Sequence, residues 1–159
     1  MTHLERQLRL LVEAGVAFIV IGGMAAAAHG SARSTLDLDV VYARDRENVR
    51  RLVEALSLHK PYLRGAPPGL PFVLDVETIL HGLNFTLTTD IGDIDLLGEV
   101  VGGGTYEELL PQTVEIDAFG VRCRYVTLDA LVALKRAAGR PKDLEAIAEL
   151  ELIRDRLKT

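Results

Sequence analysis

The stretch VAFIVIGGMAAAAHGSARSTLDLDVVY, residues 16–42, decides how this chain folds. It opens with a short apolar run over 16–21, which is rich in β-branched residues and typical of a buried strand. Gly22 and Gly23 end that run, and the alanine-rich segment 24–29 that follows predicts a short helix. The stretch therefore predicts a strand, a tight glycine turn and a helix in immediate succession.

The last part of the stretch, residues 35–42, begins by alternating polar and apolar side chains. This alternation predicts a strand with Asp37 and Asp39 on one face. Two carboxylates on one face can bind hard cations through oxygen, and the amides of the glycine turn can receive a phosphate. An isolated Asp-x-Asp or Gly-Gly is more often a solvated strand face or a plain turn. It is their combination in this order that favours phosphoryl or nucleotidyl transfer.

The composition of the 159 residues is that of a globular protein, with 48% apolar and 26% charged side chains. The net charge of −5 argues against a basic nucleic-acid scaffold, although it leaves a nucleic-acid substrate open. The one cysteine, Cys123, cannot form an internal disulfide and is expected to be packed and inert. The apolar run over 16–28 is too short to span a bilayer, and no secretory signal is visible. These features predict a cytoplasmic protein with no membrane partner.

Helix and strand patterns are mixed along the rest of the chain. Amphipathic helices are predicted over 4–14 and 48–58, and a loop rich in proline and glycine over 60–71. Hairpins are predicted over 84–97 and 113–126. The pattern indicates an α/β (α+β) fold with a mixed β-sheet flanked by helices.

The length of the chain favours one domain over residues 1–159. Its C-terminal part, 127–159, is predicted to be a pair of helices packed on the sheet, the first capped by Thr127 and the second beginning at Asp143. The apolar surface of this pair allows a homo-oligomer.

The glycine turn and the aspartates resemble a known signature. Ile21-Gly22-Gly23, a spacer and Asp37-Leu38-Asp39 resemble the motif of the DNA polymerase beta-type nucleotidyltransferase superfamily. That superfamily has a third carboxylate on a later strand. Asp95, which precedes two apolar residues, matches this position better than Asp93, which can equally serve a turn. The resemblance implies a nucleotidyltransferase fold.

A second resemblance lies near the C-terminus. The segment LKRAAGRPKDL, residues 134–144, resembles the Lys…Arg-x-Lys-Asp helix-turn of AbiEii-like and other minimal bacterial nucleotidyltransferases. Together the two resemblances cover nearly the whole chain.

The resemblance implies roles for particular residues. Asp37, Asp39 and Asp95 would be the catalytic, metal-binding carboxylates for Mg²⁺ or Mn²⁺, with Asp95 as a candidate general base. The nucleotide-binding residues would be Gly22, Gly23, Arg33, Thr35 and Lys135.

Several of these side chains have a second interpretation. Lys135 would neutralise triphosphate charge, or it is a lysine that reaches the surface from an apolar helix face. Arg33 would bind phosphate or pair with a catalytic aspartate. Arg140 and Lys142 are candidate phosphate ligands, whereas Asp143 is expected to cap the last helix.

The resemblance implies a metal-dependent enzyme that moves a nucleoside monophosphate from an NTP, with ATP the first candidate, to an acceptor. The acceptor would be tRNA, a partner protein or a small molecule, and the chain would be a component of a toxin–antitoxin pair. The alternative is a catalytically inactive nucleotide- or partner-binding module with the same fold. Neither the acceptor nor the NTP is encoded in these motifs.

Overall fold

The computed structural model describes residues 2–158. Within this range the helices are α1 (His3–Glu13), α2 (Gly22–Ala28), α3 (Arg46–Ser57), α4 (Val76–His81), α5 (Tyr106–Leu109), α6 (Leu128–Ala138) and α7 (Pro141–Leu157). The strands are β1 (Phe18–Ile21), β2 (Leu38–Tyr42), β3 (Tyr62–Leu63), β4 (Asn84–Thr89), β5 (Gly92–Leu97), β6 (Glu99–Val100), β7 (Gly104–Thr105), β8 (Thr113–Ala118) and β9 (Val121–Val126).

Seven of these strands form one mixed sheet in the order β3-β4-β5-β2-β1-β9-β8, and β6 and β7 form a separate small pair. The β2–β5 and β1–β9 pairs are parallel, whereas the other pairs in the large sheet are antiparallel. Parallel neighbours need a long crossover, and α3 with α4 lies in the connection between β2 and β5. The α/β fold with a mixed sheet and flanking helices is confirmed.

The core lies on the central strands and under the helices. It is one continuous cluster that runs from α1 to α7, and its largest fully buried side chains include Tyr42, Tyr125, Ile19, Leu52 and Ile94. Burying each leucine or isoleucine side chain contributes about 1.5–3 kcal/mol, so this apolar cluster is what fixes the sheet and its helices.

Asn48 joins the central strands to α3. Its side-chain amide donates to the carbonyls of Ala17 and Ala43, and its Oδ1 accepts from the Ala17 amide at 2.6 Å. A buried amide with every partner in place is rigid, so these bonds hold the start of β1 and the end of β2 in register.

Side-chain caps mark the starts of several helices, including the one predicted at Thr127. The carboxylates of Asp45 and Asp75 accept backbone N–H bonds at the starts of α3 and α4, and Thr127 caps α6. The last helix begins at Pro141 rather than at the predicted Asp143. Asp143 still accepts the Arg140 amide, but it does so from inside the first turn.

The predicted strand 35–42 is too long. β2 begins at Leu38, and Asp37 lies in an exposed segment without regular structure. The reason is the short partner strand, because β1 ends at Ile21 opposite Asp39 and the chain then turns into α2. None of the helices formed by residues 2–158 is long and apolar enough to cross a membrane.

Candidate active site

Two carboxylates meet at the centre of the sheet. Asp39 on β2 lies directly opposite Asp95 on β5 in a parallel register, so both side chains point to the same face. Ile21, the last residue of β1, lies opposite Asp39 on its other side. The glycine turn and the two aspartates are therefore side by side in space.

Gly22 and Gly23 allow this close approach. Gly22 has a φ of +66°, and a Cβ at that position would collide with the Asp39 carboxylate. A Cβ on Gly23 would lie 2.6 Å from Thr35 Oγ1. Both positions therefore exclude a side chain for reasons of packing, and Gly22 also for its backbone conformation.

The two carboxylates are crowded and short of hydrogen bonds. Burial, then the Asp95 carboxylate and then Asp37, raise the pKa of Asp39 to about 7, although the Lys135 charge opposes the shift. Among residues 2–158, Asp39 Oδ1 and Asp95 Oδ1 are buried without a hydrogen-bond partner. A divalent cation bound between the two carboxylates would give both of these oxygens a partner.

Asp37 does not lie close enough to Asp39 and Asp95 to form a three-residue metal site with them. No three Asp, Glu, His or Cys side chains of the described chain are gathered so that they could hold a metal ion together. Asp37 does line the same cavity as Asp39 and Asp95. Mg²⁺ in proteins needs only one or two carboxylates when waters and substrate phosphates complete its shell, so the Asp39–Asp95 pair fits such an ion.

The cavity at the two aspartates has a volume of about 300 Å³ and a basic wall. Its cationic lining residues are Arg33, Lys135, Arg140 and Lys142. A cavity lined by both carboxylates and cations suits a ligand that carries both phosphate and metal. The structure thus brings together the predicted residues Gly23, Arg33, Thr35, Asp37, Asp39, Asp95 and Lys135.

Lys135 has a partner that neither sequence interpretation included. Its Nζ lies 3.5 Å from Oδ1 of Asp143, and the Lys135 side chain is only 20% exposed. Asp143 is 1% exposed and also accepts from Arg140 at 2.7 Å. Arg140 first, and Lys135 with it, hold the pKa of Asp143 below its usual range. The buried acid therefore fixes two cations at the edge of the cavity.

Arg33 pairs with Glu149 rather than with one of the aspartates predicted to be catalytic. Its Nε lies 3.7 Å from Glu149 on α7, and its side chain is half exposed. That contact joins the segment before β2 to the last helix and leaves the guanidinium in the cavity wall.

A second cavity of about 830 Å³ adjoins the first and shares Arg33, Thr35 and Asp37 with it. Its apolar lining residues are Leu4, Met24, Ala27, Leu36 and Phe119.

Arg64 is the residue that sequence reasoning missed. Its Nη2 lies 2.8 Å from Asp95 Oδ1, and its Nε lies 3.2 Å from Asp93 Oδ2. Arg64 sits at the start of the predicted Pro/Gly loop, and it reaches β5 because β3 pairs with β4. Only the strand at 62–63 would have placed it there, and a strand of two residues leaves no pattern in the sequence.

Comparisons with known proteins agree with this architecture. No family model matches the chain, and no curated protein matches it. A crystal structure from Thermotoga maritima, described as a "putative nucleotidyltransferase", is 16% identical and has a TM-score of 0.52. The alignment covers 99% of this chain and 96% of that chain. At this identity the similarity shows a shared fold, a mixed α/β fold like that of this nucleotidyltransferase-like structure. The narrower AbiEii-like resemblance rests on the sequence motif alone.

Proposed function

We propose that this chain is a metal-dependent nucleotidyltransferase that moves a nucleoside monophosphate from an NTP to an acceptor hydroxyl. The observation that carries the proposal is the Asp39–Asp95 pair, which is aligned across two parallel strands beside Gly22 and lines a cavity together with several basic residues. The fold shared with the Thermotoga protein supports it.

The basic wall would receive the nucleotide. Lys135 and Arg140 are held in place by Asp143, so their charge is fixed before a triphosphate arrives. Arg33 and Lys142 complete the set, and the amides of Gly22 and Gly23 would approach the phosphates closely. Mg²⁺ or Mn²⁺, when bound by Asp39 and Asp95, would neutralise phosphate charge and lower the pKa of the attacking hydroxyl.

The reaction exchanges one phosphate bond for another. The acceptor oxygen forms a bond to the α-phosphorus, the α–β anhydride bond breaks, and pyrophosphate leaves with its electron pair. The hydroxyl proton passes to the carboxylate pair, for which the resemblance favours Asp95. The adjoining apolar cavity of about 830 Å³ offers room for the acceptor.

The test is transfer from α-labelled ATP, and then from the other NTPs, with Mg²⁺ and candidate acceptors. These acceptors are tRNA, cell protein and a small hydroxyl compound such as an aminoglycoside. Asp39→Ala should abolish labelling, and Asp117→Ala on the distant β8 is the matched acidic control. The proposal would be wrong if Asp39→Ala still labelled an acceptor, or if the native chain labelled none.

One observation favours the alternative, a nucleotide- or partner-binding module without turnover. Asp37 stands outside the carboxylate pair, and an arginine already contacts Asp95. This alternative predicts that ATP binds with Mg²⁺ in calorimetry, yet no acceptor is labelled even with the physiological partner. Loss of both nucleotide and metal binding would leave neither function.

A role in a toxin–antitoxin pair is part of the proposal. Expression in a bacterial host should slow growth if the chain is the toxin, and Asp37→Ala should relieve that effect. A partner encoded beside it would identify the protein or RNA on which it acts. Normal growth on expression, with no such partner, would remove this role and leave the enzymatic proposal intact.

A further inference from the structure

The starting observation is an arginine placed where a cation would bind. Arg64, Asp93 and Asp95 form a group named here the Arg64 bridge, with N–O distances of 3.2 and 2.8 Å. Neither Arg64 Nε nor Asp95 Oδ1 makes a hydrogen bond within residues 2–158. The attraction is therefore one of charge without the alignment of a hydrogen bond.

The Arg64 side chain can leave Asp95 without moving the strand that carries it. Its backbone N–H donates to the Thr86 carbonyl at 2.9 Å, which fixes the main chain beside β4. Its guanidinium donates one hydrogen bond, to the Leu87 carbonyl at 2.8 Å. The next residue, Gly65, has open space around it. A rotation of the side chain is enough to release the carboxylate.

Two positive groups cannot share Asp95 without cost. The oxygen that Arg64 contacts, Asp95 Oδ1, is the one that a cation on the Asp39–Asp95 pair would need. Like charges at such distances repel strongly in a half-buried site, because solvent screens them poorly. Binding of one group must weaken binding of the other.

We infer that the Arg64 guanidinium and a divalent cation compete for Asp95, so that Arg64 holds the metal site in a low-affinity state until the cation displaces it. Arg64 is thus a positioning residue, since it acts through the Asp95 carboxylate. This inference rests on the cation site of the proposed function.

The chain contains a matched control for this contact. Arg122 lies 3.1 Å from both Glu115 and Asp117, and these three residues are named here the Arg122 bridge. It too joins one arginine to two alternating carboxylates of one strand, but it lies on the β8–β9 hairpin. Arg122→Gln therefore makes the same change of charge and of side-chain size away from Asp39.

The experiment measures Mn²⁺ binding alone, by electron paramagnetic resonance, in the native protein and three variants. We expect Arg64→Gln to bind Mn²⁺ about tenfold more tightly, because one competing charge is removed. Arg64→Lys, which keeps the charge, and Arg122→Gln should stay within about twofold of the native affinity. In an Asp95→Asn background, Arg64→Gln should have no further effect.

Each other outcome has a definite meaning. Equal or weaker binding by Arg64→Gln, with native binding that Asp39→Ala removes, would overturn the competition and leave the proposed function standing. Equal tightening by Arg122→Gln would reduce the effect to net charge and overturn it too. No Mn²⁺ binding by the native protein or by Arg64→Gln would overturn both proposals.

A second measurement uses only the native chain and does not depend on a variant that folds. The Arg64 Nε–Hε resonance should shift as Mg²⁺ is added and saturate together with the metal site, whereas the Arg122 resonance should not move. An Arg64 resonance that stays unchanged at saturating Mg²⁺ would overturn the competition.

Discussion

The Arg64 bridge and the Arg122 bridge have the same components and different surroundings. In each, one arginine contacts two carboxylates that alternate along a single strand, β5 for Arg64 and β8 for Arg122. The Arg64 side chain is 27% exposed and the Arg122 side chain is 58% exposed. Asp95 of the Arg64 bridge also lies beside a second carboxylate, Asp39. The difference teaches that an ion pair acquires a chemical role from its neighbours and its burial, not from its own geometry.

The largest expected effect is on the rate of nucleotide transfer, which should fall for a variant beside the Arg64 bridge and not for one within the Arg122 bridge. Asp39→Ala, beside the Arg64 bridge, should lower transfer by about a thousandfold or more, since it removes half of the proposed cation site. Asp117→Ala, within the Arg122 bridge, should leave the rate within about twofold of native. Transfer rates with labelled ATP and excess Mg²⁺ measure both variants. Comparable losses of activity in the two would show that the Arg64 bridge has no special role.

Next in size is the cost of a Cβ at the glycine beside each bridge. Gly22→Ala should destabilise the fold by about 3 kcal/mol, because it combines a φ of +66° with a collision against Asp39. Gly120→Ala, at a φ of +78° near Arg122, should cost about 1 kcal/mol, since its Cβ would meet only the flexible end of Arg9. Urea denaturation gives both free energies, and a reversed order would contradict the packing argument.

A smaller effect concerns pH and the stability of the metal-free protein. Because the pKa of Asp39 rises from its ordinary 3.8 to about 7, its ionised form destabilises the folded chain. This destabilisation of the folded chain is complete above about pH 7 and decreases as the pH falls toward 4. Asp39→Asn should therefore be about 2 kcal/mol more stable than native at pH 8 in EDTA, with a smaller gain at pH 5. A gain that grows toward low pH would contradict this.

The smallest expected effect lies at the exposed bridge. Arg122→Gln should leave the urea midpoint of unfolding unchanged within error, because a solvated ion pair contributes little to stability. Its salt dependence should also match that of the native protein. A clear loss of stability would show that the Arg122 bridge holds the β8–β9 hairpin together.

The sequence predicted the parts of the site that local patterns encode. The strand before Gly22, the helix that follows, the β4–β5 hairpin and the Thr127 cap follow from spacing and turn chemistry within a few residues. The facing of Asp39 and Asp95 was predicted only through the superfamily resemblance. The structure supplies its cause, the parallel β2–β5 register.

What the sequence did not predict depends on distant pairing. Arg64 reaches Asp95 only because the two-residue strand β3 pairs with β4, and so short a strand has no detectable pattern. Asp37 was expected on the strand because residues 35–42 alternate, yet β1 is too short to pair with it. The burial of Asp143 under Lys135 likewise follows from how α6 packs on α7.

The parallel pairing of β2 with β5 has a consequence for the order of folding. Asp39 and Asp95 are separated in the chain by α3, α4 and the whole of β4, so their alignment closes a long loop. Loops of that length close late, after local helices and hairpins have formed. A partly folded chain would therefore have its helices but no carboxylate pair. During synthesis, a ribosome-bound chain would complete the proposed cation site only once β5 has emerged and docked.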